Sequence, residues 1–149
     1  MKIISTISIR TAFYALIVSV GMVITPLCSA QVMVVVGAKS SASKLSKEQA
    51  AALFLGKSFQ LPGAGIPVLI DQGENTEARQ IFYSKVAEKT PVQVKAIWSR
   101  LVFSGKGTIP KEVANSEEVK KLLSANPDAI GYIEKGALDA SVKVLFAVE

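Results

Sequence analysis

The sequence predicts an α/β domain built on a mixed central sheet of about four to five strands flanked by helices. Two observations predict this class. Short apolar runs rich in β-branched residues alternate along the chain with longer amphipathic stretches, as strands alternate with helices in layered domains. In addition, residues 32–36 are apolar at every position, which is typical of a central strand covered on both faces.

The first predicted unit is a strand, a loop and a helix. The strand covers residues 31–37. Ser46 and Gln49 have the spacing of a capping box, in which each side chain accepts a hydrogen bond from the other residue's backbone, so we expect a helix from Ser46 to Leu55. Gly56 then ends the helix, because glycine readily adopts the left-handed conformation that follows a last turn.

The second predicted unit follows a turn rich in proline and glycine. A strand over residues 66–70 delivers Asp71 and Gln72 to its end, and a helix is expected over residues 76–88. The spacing of its apolar residues predicts a buried stripe made of Ala78, Ile81, Phe82 and Val86.

The remaining elements complete the layers. Thr90 and Pro91 open a helix, because proline is favoured at the first helical position. Its predicted buried face consists of Val94, Ile97, Trp98, Leu101 and Val102. Ser116 is the predicted cap of a further helix, and residues 129–133 and 142–148 are the last two predicted strands.

The first 30 residues have the layout of a secretory signal peptide. They contain Lys2 and Arg10 but no acidic residue, and an apolar run over residues 11–25 precedes small residues suited to cleavage after Ala30. A retained membrane anchor is the alternative, but this run is shorter than the ~20 apolar residues that a span needs. We therefore expect a cleaved leader and a secreted domain, residues 31–149, with no membrane span.

Composition excludes several classes of function. The chain contains no histidine and one cysteine, Cys28, in the predicted leader, so histidine-based triads, histidine-ligated zinc and an internal disulfide are excluded. The 17 basic residues only slightly exceed the 12 acidic ones, and Lys2 and Arg10 belong to the leader, so a nucleic-acid partner is not expected. No catalytic constellation, metal cluster or cofactor motif is present, and we do not expect an enzyme.

A candidate oxyanion site lies where the second strand passes into its helix. The start of a helix offers unpaired N–H groups and the positive end of the helix dipole. Gly73 begins the connecting loop, Asn75 or Thr76 supplies the capping side chain, and Arg79 is one turn in and able to reach back. The alternative is that Asn75 is simply a helix cap.

Two acidic residues oppose this candidate site. Glu74 and Glu77 lie where an anion would bind. A carboxylate about 5 Å from a phosphate opposes it by about 1–3 kcal/mol at intermediate dielectric, which equals or exceeds the 0.3–1 kcal/mol typical of the helix dipole. We therefore expect weak binding of a dianion or none.

A family resemblance adds to these patterns. Five segments occur in order over nearly the whole of the predicted domain, namely residues 53–57, 66–72, 79–83, 98–107 and 126–132. Together they resemble the phosphate-binding proteins of ABC transporters, and in particular their short, single-domain members. The resemblance implies a periplasmic-binding-protein fold, in which two α/β lobes close around an oxyanion, and the chain corresponds to about one lobe.

The resemblance also suggests which residues would bind the oxyanion. Aligned on a helix phenylalanine, Gln72 takes the position of the family's arginine and Thr76 that of its serine, while Glu77 and Ala78 replace its glycine and threonine. Only the hydroxyl of Thr76 is retained, and Arg79 is left to supply the positive charge from a different position.

These implications lead to two hypotheses. The first is a periplasmic accessory protein that binds phosphate, another small oxyanion or a small solute through a degenerate site. The second is a ligand-free interaction module that binds an envelope sensor, a porin, a larger assembly or a second copy of itself. One lobe leaves most of a bound phosphate in water, so in either case we expect weak phosphate binding by the monomer or none.

Overall fold

The computed structural model describes residues 31–149, which form an open five-stranded sheet with helices on both faces. The strands are β1 (Val32–Gly37), β2 (Val68–Gln72), β3 (Lys111–Val113), β4 (Ala129–Glu134) and β5 (Val142–Val148). The helices are α1 (Lys47–Phe54), α2 (Glu77–Phe82), α3 (Pro91–Phe103) and α4 (Ser116–Ala125). This confirms the predicted α/β class. The predicted leader and its cleavage after Ala30 lie outside the described residues.

The sheet is mixed, with the order β3-β2-β4-β1-β5. β2 is parallel to both β3 and β4, whereas β1 is antiparallel to both β4 and β5. The carboxyl ends of β2, β3 and β4 therefore lie at one side of the sheet, which we call the carboxyl edge. Their amino ends lie at the opposite side, the amino edge.

The core has two layers, one on each face of the sheet. Phe54 of α1, Phe82 of α2 and Trp98 of α3 belong to the larger layer, and Val119 and Leu123 of α4 belong to the smaller one. Every residue of β1 is buried between these layers, which confirms the central strand that its unbroken apolar run predicts. None of the helices described in residues 31–149 is long and apolar enough to cross a membrane.

The predicted helix starts are mostly confirmed. Ser46 and Gln49 form a capping box at α1, and Thr90 caps α3 with proline at its first position. α4 differs from the prediction, because its cap is Asn115 and not Ser116. The Asn115 side chain accepts a hydrogen bond from the backbone N–H of Glu118 at 3.0 Å, and an amide oxygen is among the preferred N-cap acceptors.

Three other boundaries differ from the sequence prediction. β2 begins at Val68 and includes Asp71 and Gln72, since Pro67 has no N–H to give to a sheet and the residue before it is exposed. The helix predicted over residues 76–88 is α2 followed by a π-helical turn, Tyr83–Ala87. β3 was not predicted, because three residues are too few to show an alternating pattern.

The predicted helix faces are partly correct. In the stripe of the second helix, Ala78, Phe82 and Val86 are buried, while Ile81 is only half-buried. On α3, Val94 and Trp98 are buried, but Val102 is 42% exposed.

Candidate functional site

The predicted site residues lie at the carboxyl edge. β2 ends at Gln72 and leads through a short loop into α2, while β3 ends at Val113 and leads into α4. Two helices therefore begin at this edge, on opposite faces of the sheet. In open α/β sheets ligands bind at the carboxyl ends of parallel strands, so this is where a ligand site is expected.

Thr76 caps α2, but the proton of its hydroxyl is already engaged. The oxygen accepts a hydrogen bond from the N–H of Arg79 at 3.3 Å, and the hydroxyl donates to the carbonyl of Gly73 at 2.9 Å. A hydroxyl has one proton, so Thr76 donates to an oxyanion only if the bond to Gly73 breaks. The N–H of Gly73 is also engaged, with the Val113 carbonyl at 2.9 Å. Asn75, the other candidate cap, is exposed.

Arg79 does reach back toward β2, but it meets the protein's own acceptors. Its Nη1 donates to the Gln72 carbonyl at 2.8 Å and to Glu112 at 3.0 Å. Its Nη2 lies 3.6 Å from a carboxylate oxygen of Asp71, and the guanidinium is 5.6 Å from the ring centre of Tyr83. The side chain is 9% exposed, so this cation is enclosed by two carboxylates and an aromatic ring.

Asp71 is the centre of this cluster and is 4% exposed. It accepts hydrogen bonds from the hydroxyls of Tyr132 and Tyr83, the latter at 3.0 Å, and from the Gln72 N–H at 2.9 Å. Burial raises the pKa of Asp71, and the Tyr132 hydrogen bond and the Arg79 charge only partly oppose that rise. Burial, and then the charge of Asp71, raises the pKa of both tyrosines well above the ordinary 10.0, so both remain hydrogen-bond donors at physiological pH.

Gln72 points to the other face of the sheet, because successive strand residues face opposite ways. It is fully buried, and its Nε2 donates to the Tyr132 carbonyl at 2.9 Å and to the Ser116 hydroxyl at 3.2 Å. Ser116 in turn donates to Glu134 at 2.9 Å. The Gln72 Oε1 has no hydrogen-bond partner in residues 31–149. Because an amide oxygen only accepts hydrogen bonds, this free atom cannot bind an anion.

The structure therefore joins some predicted site residues and separates others. Gly73, Thr76 and Arg79 are linked by hydrogen bonds, whereas the side chain of Gln72 lies on the opposite face and Asn75 is exposed to solvent.

Four side chains that shape the edge were not identified from the sequence. Tyr83 lies in the second predicted helix but outside its predicted buried stripe, and Tyr132 lies in a predicted strand without a predicted role. Glu112 lies on the short strand that was not predicted, and Ser116 was predicted only as a helix cap. The one available signal was Asp71, an acidic residue in an otherwise apolar strand that needs buried donors around it.

A cleft of about 670 Å³ adjoins the cluster, between α2 and the start of α3. Its lining includes Arg79 and Lys89 but also Glu74 and Glu88. The Nε of Arg79 has no hydrogen-bond partner among the described residues. Charges of both signs line this cleft, which does not favour a dianion.

The carboxyl edge as a whole is acidic. Arg79 is paired with Asp71 and Glu112, and Ser116 donates a hydrogen bond to Glu134. Two further carboxylates are exposed nearby, Glu74 on the loop before α2 and Glu77 in its first turn. Within residues 31–149, no three histidine, cysteine or acidic side chains are grouped so as to hold a metal ion. What the arrangement does chemically is to fix β2, β3, α2 and β4 together through buried hydrogen bonds.

Comparison with known proteins gives matches of fold. No protein-family model matches the chain, and no curated protein matches it significantly. Among solved structures, it is similar to an ABC-type phosphate transport receptor from Vibrio cholerae, with a TM-score of 0.60 and 18% identity over 78% of this chain and 46% of the other. It is also similar to a Clostridium perfringens protein named as a phosphate ABC transporter substrate-binding protein and solved with phosphate, with a TM-score of 0.59 and 19% identity over 78% of this chain and 45% of the other. PstS from Borrelia burgdorferi gives a TM-score of 0.56 and 16% identity, over 78% of this chain and 47% of the other.

Residues 31–149 have the fold of one binding-protein lobe. The chain spans less than half the length of the solved binding proteins that it matches. This confirms the fold that the resemblance implies, and these neighbours are binding proteins and not enzymes. At 16–19% identity the likeness concerns the fold alone.

Proposed function

We propose that the protein acts in the periplasm as an accessory binding-protein lobe that contacts another protein, and that its oxyanion site is degenerate. One observation carries the proposal. Arg79, the cation of the predicted site, is already paired with Asp71 and Glu112 and bonded to the Gln72 carbonyl. An entering oxyanion would have to displace these groups, which belong to the same chain and lose little entropy by staying in place.

Electrostatics supports the same proposal. A dianion beside Arg79 would also lie near Glu74, Glu77 and Glu112, and each such carboxylate opposes it by about 1–3 kcal/mol at intermediate dielectric. The helix dipole at the start of α2 stabilises the anion by only about 0.3–1 kcal/mol. The balance disfavours phosphate, so a function that needs no enclosed phosphate fits the edge better.

The periplasmic location is supported by the predicted leader and by the fold. Residues 1–30 have the composition of a secretory signal, and the solved neighbours are substrate-binding proteins of transport systems. An envelope sensor, a porin, a transport assembly or a second copy of the chain is a suitable class of partner.

The test is a calorimetric titration of the purified protein with inorganic phosphate in phosphate-free, low-salt buffer. We expect a Kd no tighter than about 1 mM. Glu112→Gln removes one of the two carboxylates that hold Arg79 and should bring phosphate affinity up, whereas the matched variant Glu77→Gln leaves the Arg79 pairs intact and should have less effect. Micromolar affinity in the unaltered protein would contradict the proposal.

A second candidate function is the binding of a small oxyanion at Thr76 and Arg79. The observation that favours it is the unpartnered Nε of Arg79 among the described residues, beside the open cleft. If this is the function, phosphate or sulfate raises the melting temperature, and Thr76→Ala abolishes that rise while Thr76→Ser keeps it. An unchanged melting temperature in all three proteins excludes it.

A further inference from the structure

The amino edge carries an apolar groove that the carboxyl-edge site does not use. The groove has a volume of about 550 Å³ and lies between the start of β2 and the loop that leads into β3. Phe59, Ile66, Val68, Trp98 and Ile109 line it. Of these, Ile66 is 75% exposed and Ile109 60% exposed. A cluster of exposed large apolar side chains marks an interaction surface more often than an isolated one does.

The wall of the groove includes a short unpaired strand edge. β2 pairs with β4 from Val68 onward, but it pairs with β3 only from Ile70, which lies opposite Lys111. On the β3 side, no strand among residues 31–149 covers Val68 or Leu69. Exposed strand edges of this kind accept an added strand from another chain, with main-chain hydrogen bonds and pockets for alternate side chains.

The surroundings of the groove are basic. Lys106 and Lys111 line it. Residues 57–70 and 90–111, which supply all of its walls, contain no aspartate or glutamate. On the β4 side, the Val68 N–H donates to the carbonyl of Asp128, which precedes β4, at 3.0 Å. The groove thus combines an apolar floor with positive charge on the side away from β4.

This charge pattern selects between the possible occupants. A second copy docked through the same groove would bring two sets of Lys106 and Lys111 together, and like charges across an interface are unfavourable. A lipid surface suits apolar side chains that project from a convex face, whereas here Trp98, 5% exposed, forms part of a concave wall. An extended segment of another protein fits a concave groove, and acidic residues on that segment would complement the charges of Lys106 and Lys111.

We propose that the amino-edge groove binds an extended apolar segment of a partner protein flanked by acidic residues. The apolar side chains contact Phe59, Ile66 and Ile109, the main chain pairs with the open edge of Val68 and Leu69, and the acidic flanks pair with Lys106 and Lys111. This inference rests on the proposed function, since it specifies the chemistry of the partner that the accessory lobe contacts.

The sole tryptophan of the chain, Trp98, lies in the groove and serves as the reporter. The probe is a synthetic peptide with a valine- and isoleucine-rich core and glutamates at both ends. We expect a saturable change in Trp98 fluorescence with a Kd below about 1 mM. Binding should weaken by about tenfold or more in Ile109→Asp and in Lys106→Glu, and it should weaken with added salt because the ion pairs are exposed.

Matched variants control for composition and charge. Val92→Asp and Lys95→Glu change an exposed valine and an exposed lysine of α3 that do not line the groove, so both should bind like the unaltered protein. Val92 is 78% exposed and Ile109 60% exposed, so neither substitution removes a buried side chain.

Four outcomes would overturn the inference. The first is that the glutamate-flanked peptide does not bind, and the second is that a lysine-flanked peptide with the same core binds equally well. The third is that the protein binds phosphatidylglycerol vesicles and not the peptide. The fourth is that sedimentation shows a dimer that the Ile109→Asp variant no longer forms. The phosphate titration tests the proposed function separately. If neither the peptide nor phosphate binds, only the groove inference is contradicted. If phosphate binds with micromolar affinity, the proposed function is contradicted, whether or not the peptide binds.

Discussion

Arg79 shows how the environment of one residue decides what it does. Its position one turn into the helix predicts that it reaches back toward the strand, and it does. What it reaches depends on two features that the local sequence does not reveal. β2 extends far enough to carry Asp71, and the parallel pairing of β2 with β3 places Glu112 opposite Asp71. The charge of Arg79 is therefore used to hold Asp71 and Glu112 within the protein and not to bind a ligand.

The pair of Asp71 and Arg79 gives a prediction at this scale. Arg79→Met should lower the free energy of unfolding by about 3–5 kcal/mol, because it leaves a buried carboxylate without its cation. The double variant Asp71→Asn/Arg79→Met removes both charges and should recover part of that loss. Urea denaturation of the unaltered protein, of the single variants Arg79→Met and Asp71→Asn, and of the double variant measures the effect.

The control for this cycle is Arg100→Met, which changes an exposed arginine of α3 and should shift the free energy by no more than about 0.5 kcal/mol. If the losses of the two single variants simply add in the double variant, Asp71 and Arg79 do not interact energetically.

The packing of α4 against the sheet depends on glycines where helix and strands meet. A Cβ atom added at Gly131 of β4 would lie 2.7 Å from a methyl carbon of Val119, and one added at Gly37 of β1 would clash with the Leu123 carbonyl oxygen. The sequence indicates the strands and the helix, but not their close approach. Periodicity gives the buried face of an element and not the distance to its neighbour.

Gly37→Ala should therefore destabilise the protein. The added Cβ meets backbone and not a flexible side chain, so β1 and α4 must move apart, at a cost of about 1–3 kcal/mol. Gly136→Ala is the matched control, since nothing lies within 4 Å of its added Cβ and its φ is not positive. Guanidinium denaturation compares the two variants, and equal midpoints would contradict the predicted clash.

Across the whole molecule, a cluster of aromatic rings joins elements that are far apart in sequence. Phe82 of α2 stacks on Tyr132 of β4 with a centroid distance of 4.3 Å, and Phe54 of α1 meets both rings edge-on. Tyr83 is 2% exposed and Tyr132 is fully buried. Both hydroxyls bond to Asp71. Neither tyrosine can therefore ionise without opening the core.

Alkaline titration tests this arrangement. Both tyrosine pKa values are raised in the folded state above the ~10 of an unfolded chain, so their stabilising effect is complete below pH 10 and is lost as the pH rises further. A protein that begins at Gln31 lacks Tyr14, the third tyrosine. Its tyrosinate absorbance should appear only above pH 10, together with the loss of helical circular dichroism.

The same protein in concentrated urea provides the reference, because its two tyrosines should titrate near their ordinary pKa. Tyrosinate absorbance that rises at ordinary pH while the circular dichroism is unchanged would mean that at least one of these rings is open to solvent.

The sequence by itself determined the α/β class, the central position of β1, the starts of α1 and α3 and the helix that carries Arg79, since these depend on local patterns of apolar residues, caps and prolines. Only the tertiary structure decided that Arg79 faces Asp71 and Glu112, that Gln72 turns to the opposite face, and that the amino edge is left with an open groove. The physical reason is that pairing between strands distant in sequence sets which side chains meet, and the three residues of β3 are held by that pairing and not by a pattern of their own.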